Sequence, residues 1–157
     1  MKQMYDVEKV IGQYSGLSRK VLEYSLAMKT LLDDSKKPGF DPARWEEMGA
    51  FLDTENFERI GNFKEVMDWP TYRDFLAGWA PNAEWECSFK RVTENGNLVL
   101  LELEERTSMG GAQNAVNSLS VYEFDDAGKV DHLDIYLQMP LPDPALLASY
   151  ADVDITG

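Results

Sequence analysis

Apolar residues recur at helical spacing through the first third of the chain. Val7, Val10, Ile11 and Tyr14 lead into Val21, Leu22, Met28, Leu31 and Leu32, the three-and-four repeat of helices that bury one stripe. Gly16 interrupts the run, so the pattern predicts a short helix and then a longer one over 17–33. Residues 35–41, SKKPGFD, have the composition of a loop. Asp41 followed by Pro42 reads as a cap with a first-turn proline, and the helix it opens presents Trp45, Met48, Phe51 and Leu52. A strand is expected over 56–63, with Phe57 and Arg59 on one face and Glu58 and Ile60 on the other. Asp68 and Pro70 then open another helix, in which Tyr72, Phe75, Leu76 and Trp79 form a buried stripe.

From Pro81 onward the period changes to two. Trp85, Cys87 and Phe89 alternate with Glu84, Glu86, Ser88 and Lys90, and Asn95-Gly96 is a hairpin signal. The return strand reads LVLLELEER from Leu98 to Arg106. Residues 107–114, TSMGGAQN, are expected to be a flexible connection or a bulge, followed by strands over 116–124 and 129–139. Helices first and a curved antiparallel or mixed sheet afterwards is an α+β layout, with the helices covering one sheet face and a cone-shaped pocket between the layers. One domain is expected over 1–157, in which 140–157, with Pro140, Pro142 and Pro144, form a C-terminal tail over the surface or a partner subunit.

Composition narrows the function. With 28 acidic against 15 basic residues the net charge is −13, which disfavours nucleic acid and anionic membrane surfaces as partners. One cysteine and one histidine permit neither an internal disulfide nor a cysteine-based zinc site, and no metal is expected. MKQMYDVEKV lacks the apolar run of a signal peptide and no stretch approaches a membrane span, so a cytoplasmic location is expected.

The chemistry-bearing residues each allow two readings. His132 and Asp134 lie two apart on a strand and point the same way, as do Tyr136 and Gln138. An imidazole beside a carboxylate can move protons. The alternate residues Leu133, Ile135, Leu137 and Met139 are all apolar, however, and read equally as the buried face. Arg59 can bind a carboxylate or stabilise an oxyanion, or pair on the surface with Glu58 or Glu55.

Glu102 and Glu104 depend on the turn before them. With Asn95-Gly96 as a two-residue loop, Phe89 opposes Glu102. With a three-residue loop, Phe89 faces Leu101 and Cys87 faces Leu103, which separates an apolar face from a charged one and leaves the glutamates exposed. Tyr14, Trp69, Tyr72, Trp79 and Trp85 line a pocket for a flat ligand or fill the core. Ser118 and Ser120 are polar on an otherwise apolar strand. Cys87, with no histidine nearby in sequence, reads as a small buried hydrophobe. Gly110-Gly111 lacks the strand–helix context of a phosphate loop.

Three stretches resemble the nuclear transport factor 2-like superfamily, particularly its SnoaL-like branch. Phe51-Leu52-Asp53 before the 56–63 strand resembles the family's helix end entering its first strand. FDDAGKV, Phe124 to Val130, resembles its acidic turn into the last strand. His132-Leu133-Asp134 with Gln138 resembles the His-Trp-Asp and trailing Gln of SnoaL-like cyclases, with Leu133 in place of Trp. The resemblance, over about residues 16–139, implies an α+β cone and a homodimer whose second copy covers exposed sheet.

It also implies a cofactor-independent acid/base enzyme, an isomerase, dehydratase, cyclase or other lyase, for a small hydrophobic, aromatic or polycyclic molecule. Asp134 would be the proton acceptor and donor, His132 would tune or relay, and Arg59 would hold an anionic group. Tyr14, Trp69, Tyr72, Trp79, Ser118 and Tyr136 would bind the substrate. Matching by the trailing Gln138 instead of the His-x-Asp text puts Ile135, not Asp134, at the pocket. A non-catalytic binding or assembly module of the same fold is the alternative. An epoxide hydrolase-like enzyme is another, and it needs Arg59 inside together with Glu102 or Glu104.

Overall fold

A computed structural model describes residues 3–140; the tail expected beyond Pro140 lies outside the described residues. The elements are α1 (Val7–Val10), α2 (Gly16–Asp34), β1 (Glu58–Ile60), β2 (Val66–Asp68), α3 (Trp69–Trp79), β3 (Ala83–Asn95), β4 (Leu98–Met109), β5 (Ala112–Phe124) and β6 (Val130–Gln138). They build a mixed α+β fold around one six-stranded sheet of order β2-β1-β6-β5-β4-β3. Neighbouring strands are antiparallel except β1 and β6, which are parallel.

The helical periodicity places α2 as expected, with Val21, Leu22, Met28, Leu31 and Leu32 buried. Its first turn has no side-chain cap from Ser15. Glu94 supplies one from β3 instead: its Oε1 accepts from the Ser18 N–H at 2.6 Å and from Ser18 Oγ at 3.0 Å. A carboxylate there also complements the positive end of the helix dipole. The segment opened by Asp41 and Pro42 winds as a 3-10 helix, Pro42–Ala50, rather than an α-helix. Asp41 Oδ1 accepts from the Ala43 N–H at 2.9 Å, and Trp45 and Met48 are buried as the pattern required. Lys129 Nζ donates to the Gly49 and Ala50 carbonyls at 2.6 and 3.0 Å, closing the end of that segment. Asp68 caps α3 through the Thr71 N–H at 2.9 Å.

Three expectations are corrected. The 56–63 strand forms only over Glu58–Ile60, because the chain turns at Gly61 and returns as β2. The Gly61 N–H donates to the Glu65 carbonyl at 2.9 Å, and Lys64 turns the chain with φ 63°. Residues 107–114 are not a flexible connection: β4 and β5 continue to a two-residue turn at Gly110-Gly111, whose φ angles of 59° and 82° suit glycine alone. The β3–β4 hairpin turns at Gly96-Asn97, pairing Asn95 with Leu98. A bulge at Lys90 then sets Phe89 opposite Leu103 and Cys87 opposite Glu105.

Register sorts the sheet into two faces. On the concave side Tyr122, Leu133 and Arg59 form one row across β5, β6 and β1; Ser120 pairs with Ile135 and Ser118 with Leu137. On the outer side Leu100, Val121, Asp134 and Ile60 form a row, and Glu102, Leu119 and Tyr136 another. The helices pack on the concave side, where Leu22, Met48, Leu52, Val99, Leu101 and Leu133 are almost fully buried. Each such side chain contributes roughly 1.5–3 kcal/mol of hydrophobic stabilisation. Tyr5 bridges Phe89 along the outer edge of β3 and shortens the exposed edge of the sheet. Among the described residues no helix is long and apolar enough to cross a membrane.

Candidate functional site

Between the helices and the concave sheet lies a cavity of about 330 Å³, at the small end of the range for ligand pockets. One wall is helical: Tyr24, Ser25, Met28 and Leu32 from α2, and Tyr72, Phe75, Leu76 and Trp79 from α3. The i, i+3, i+4, i+7 stripe of α3 is therefore a cavity wall as much as core; Phe75 remains 49% exposed. β6 contributes Leu133, Ile135 and Leu137, as strict alternation dictates.

Among the described residues two charged groups line this cavity, Arg59 from β1 and Glu105 from β4. Arg59 shares the inward direction of Leu133, its partner on β6. Its side chain is 15% exposed, and Nη1 meets Glu65 Oε1 at 3.4 Å. The guanidinium carbon lies 4.9 Å from the Tyr72 ring centroid, a cation–π contact. Arg59 Nε is buried and has no hydrogen-bond partner among the described residues.

Glu105 continues the apolar series Val99, Leu101 and Leu103 on the inner face of β4. Its Oε2 accepts from Trp85 Nε1 at 2.7 Å. Sequence reasoning passed over this residue. The signal was present in the alternation, since counting by two from Val99 puts Glu105 and Thr107 on the leucine face.

Three phenols line the cavity with Arg59. Burial holds the Tyr24, Tyr72 and Tyr122 hydroxyls protonated well into the alkaline range. For Tyr72 the Arg59 charge is the largest opposing influence, and Glu105 acts on the same phenol in the other direction. For Tyr122 burial is the main influence, and the Tyr72 and Glu105 charges act in the same direction. Cys87, beside Glu105, has its thiol pushed up to about 12, first by burial and then by the Glu105 charge.

The expected site residues divide. Arg59, Tyr72 and Trp79 line the cavity. Ser118 lies on the same sheet face, 3% exposed, with an unpartnered Oγ. Tyr14 packs on Phe89, 5.8 Å between ring centroids, and Trp69 is a buried core residue whose Nε1 donates to Glu46 at 3.1 Å. Neither is on the cavity wall.

His132, Asp134 and Tyr136 point from the outer face, because Ile135 occupies the inward position between Leu133 and Leu137. There His132 Nδ1 meets Glu58 at 3.4 Å and Nε2 meets Asp134 at 3.2 Å. Glu102 and Glu104 are also outward, paired with Arg91 and Arg106. They share no face with Arg59.

No family model and no curated protein matches the sequence. Solved structures do match the fold. An NTF2-like protein of unknown function from Cytophaga hutchinsonii is 17% identical, with TM-score 0.55 over 94% of this chain and 99% of that one. An LEH-like epoxide hydrolase from M. tuberculosis is 16% identical, with TM-score 0.55 over 74% and 83%. A candidate SnoaL-like polyketide cyclase from Jannaschia sp. is 16% identical, with TM-score 0.54 over 88% and 94%. At these identities the likeness carries the architecture and not an activity. The chain has the nuclear transport factor 2-like fold.

Proposed function

We propose that the protein is a cofactor-independent acid/base enzyme of the isomerase, dehydratase, cyclase or lyase kind, acting on one small, largely apolar ring compound in the cavity. The observation that carries this reading is that a carboxylate and a guanidinium, Glu105 and Arg59, line one cavity whose other walls are mostly aromatic and aliphatic. Glu105 takes the role first assigned to Asp134. It removes a proton from a carbon beside a carbonyl, whose oxygen takes up the electron pair as an enolate, and returns the proton at the end of the rearrangement. Developing negative charge on the ligand oxygen is met by the protonated phenols of Tyr24 and Tyr72, and Arg59 holds an anionic group. Neighbours of the same fold include epoxide hydrolase-like and cyclase-like proteins, which makes such chemistry compatible with the architecture.

A non-catalytic binding module is the second reading. The observation that favours it is that β6 offers the cavity only Leu133, Ile135 and Leu137. A homodimer formed through the outer sheet face remains part of the proposal, supported by Leu100, Leu119, Val121 and Tyr136 on that face; sedimentation at several concentrations tests it.

Deuterium exchange separates the two functional readings. Cyclic ketones of one and two rings, including unsaturated ones, are incubated in D2O with the protein, and exchange beside the carbonyl is followed by NMR. The enzyme reading expects exchange that falls about 10²–10⁴-fold in Glu105→Gln. Saturable quenching of tryptophan fluorescence by the same ketones, with no exchange in any of them, overturns it in favour of the binding module.

A further inference from the structure

Arg59 is under-neutralised where it sits. It lines a largely apolar cavity, and among the described residues its buried Nε has no partner and its only ion pair is a single contact of 3.4 Å to Glu65. Glu65 is itself committed elsewhere: its Oε2 accepts from the Phe63 N–H at 2.9 Å. The other cavity charge, Glu105, is engaged with Trp85 and forms no ion pair with Arg59. A guanidinium in such surroundings calls for a counterion that is present before any reaction begins, not only for an oxyanion that develops during it.

We propose that the ligand is an organic acid, a one- or two-ring compound bearing a carboxylate that seats on the Arg59 guanidinium. A carboxylate matches the planar donor fork of Arg in a way a lone oxygen does not. With its acid group at β1, the ring lies between Trp79 and Phe75 on the helical wall and Leu133 and Ile135 on the sheet. The far end of the ring then points toward Glu105. This assignment rests on the acid/base reading only for the role of Glu105; the carboxylate subsite stands on Arg59 alone.

The test compares isosteric acids and amides. Benzoate, cinnamate and 2-naphthoate, each beside its primary amide, are titrated into the full chain by calorimetry and tryptophan fluorescence. At least one acid is expected to bind saturably and about tenfold or more tighter than its amide. Arg59→Met brings that preference near unity while the amide still binds. Glu65→Gln, which removes the competing carboxylate, strengthens the acid and leaves the amide unchanged, an effect a merely structural role for Glu65 does not produce.

Equal or tighter binding of the amides overturns the proposal. So does a preference that survives Arg59→Met, a Glu65→Gln change that weakens both ligands alike, or the absence of saturable binding by all three acids. The exchange experiment fails independently. Ketone exchange without acid preference keeps the enzyme and removes the carboxylate subsite, and acid preference without exchange does the reverse.

Discussion

The guanidinium of Arg59 lies against the face of the Tyr72 ring, 4.9 Å from its centroid, and Tyr72 in turn stacks on Phe57 at 6.2 Å. The ring therefore positions the cation by its face. Tyr72→Phe keeps the face and is expected to cost ~1 kcal/mol or less in urea unfolding. Tyr72→Leu loses both aromatic contacts and is expected to cost roughly 1–3 kcal/mol beyond that. Equal losses in the two variants would mean that the hydroxyl, not the ring face, does the positioning.

Gly61 makes room for Glu65, the carboxylate that pairs with Arg59. A Cβ at this buried glycine would fall on the Glu65 carboxylate, which occupies the space. Gly61→Ala must swing the Glu65 side chain aside and is expected to destabilise by about 0.5–2 kcal/mol through its lost contacts to the Phe63 N–H and Arg59. Adding Glu65→Ala should recover part of that loss. A double-mutant cycle measures it, and strict additivity would show that the two residues do not share the site.

Glu94 and Ser18 tie the far end of β3 to the start of α2. Removing the cap with Glu94→Ala is expected to cost about 0.5–2 kcal/mol, read as a fall in the denaturation midpoint. Ser18→Ala should cost less, because the backbone N–H contact at 2.6 Å survives.

Cys87 reports on the dryness of the wall behind Glu105. Burial raises its thiol from 9.0 to about 12, so the folded state holds its proton more tightly than the unfolded state does. The associated stability is complete below pH 9.0 and is lost as pH rises toward about 12. At pH 8 alkylation by iodoacetamide should be roughly a thousandfold slower than for a free cysteine. Rates like those of a free thiol would mean that water reaches this wall.

The layout of helices and strands was legible because period and punctuation agreed. Asp41-Pro42 and Asp68-Pro70 do begin helical segments, and the apolar stripe of α2 is the buried one. The site was legible only in part. Leu133, Ile135 and Leu137 were readable as the buried face of β6, and a motif-like His132-x-Asp134 competed with that pattern. The continuous core decides it, since a one-residue slip would bury Asp134 and expose Leu133. The Lys90 bulge and the Gly61 turn left no such mark: each is a local change of register or direction that a period of two or 3.6 does not record. Glu105 was hidden by its neighbours, because Glu102 and Glu104 drew attention to the charged face of the same strand.

The inner and outer carboxylates are separated most directly by setting Glu105→Gln beside Asp134→Asn in one assay, with whichever ketone of the exchange panel the wild-type protein turns over. Both replacements remove a carboxylate and keep its shape, on opposite faces of one sheet. Glu105→Gln is expected to lower the rate by about 10²–10⁴-fold, and Asp134→Asn to leave it within about twofold of wild type. A large loss in Asp134→Asn with normal activity in Glu105→Gln would contradict the Glu105 assignment and return the acid/base role to the outer face.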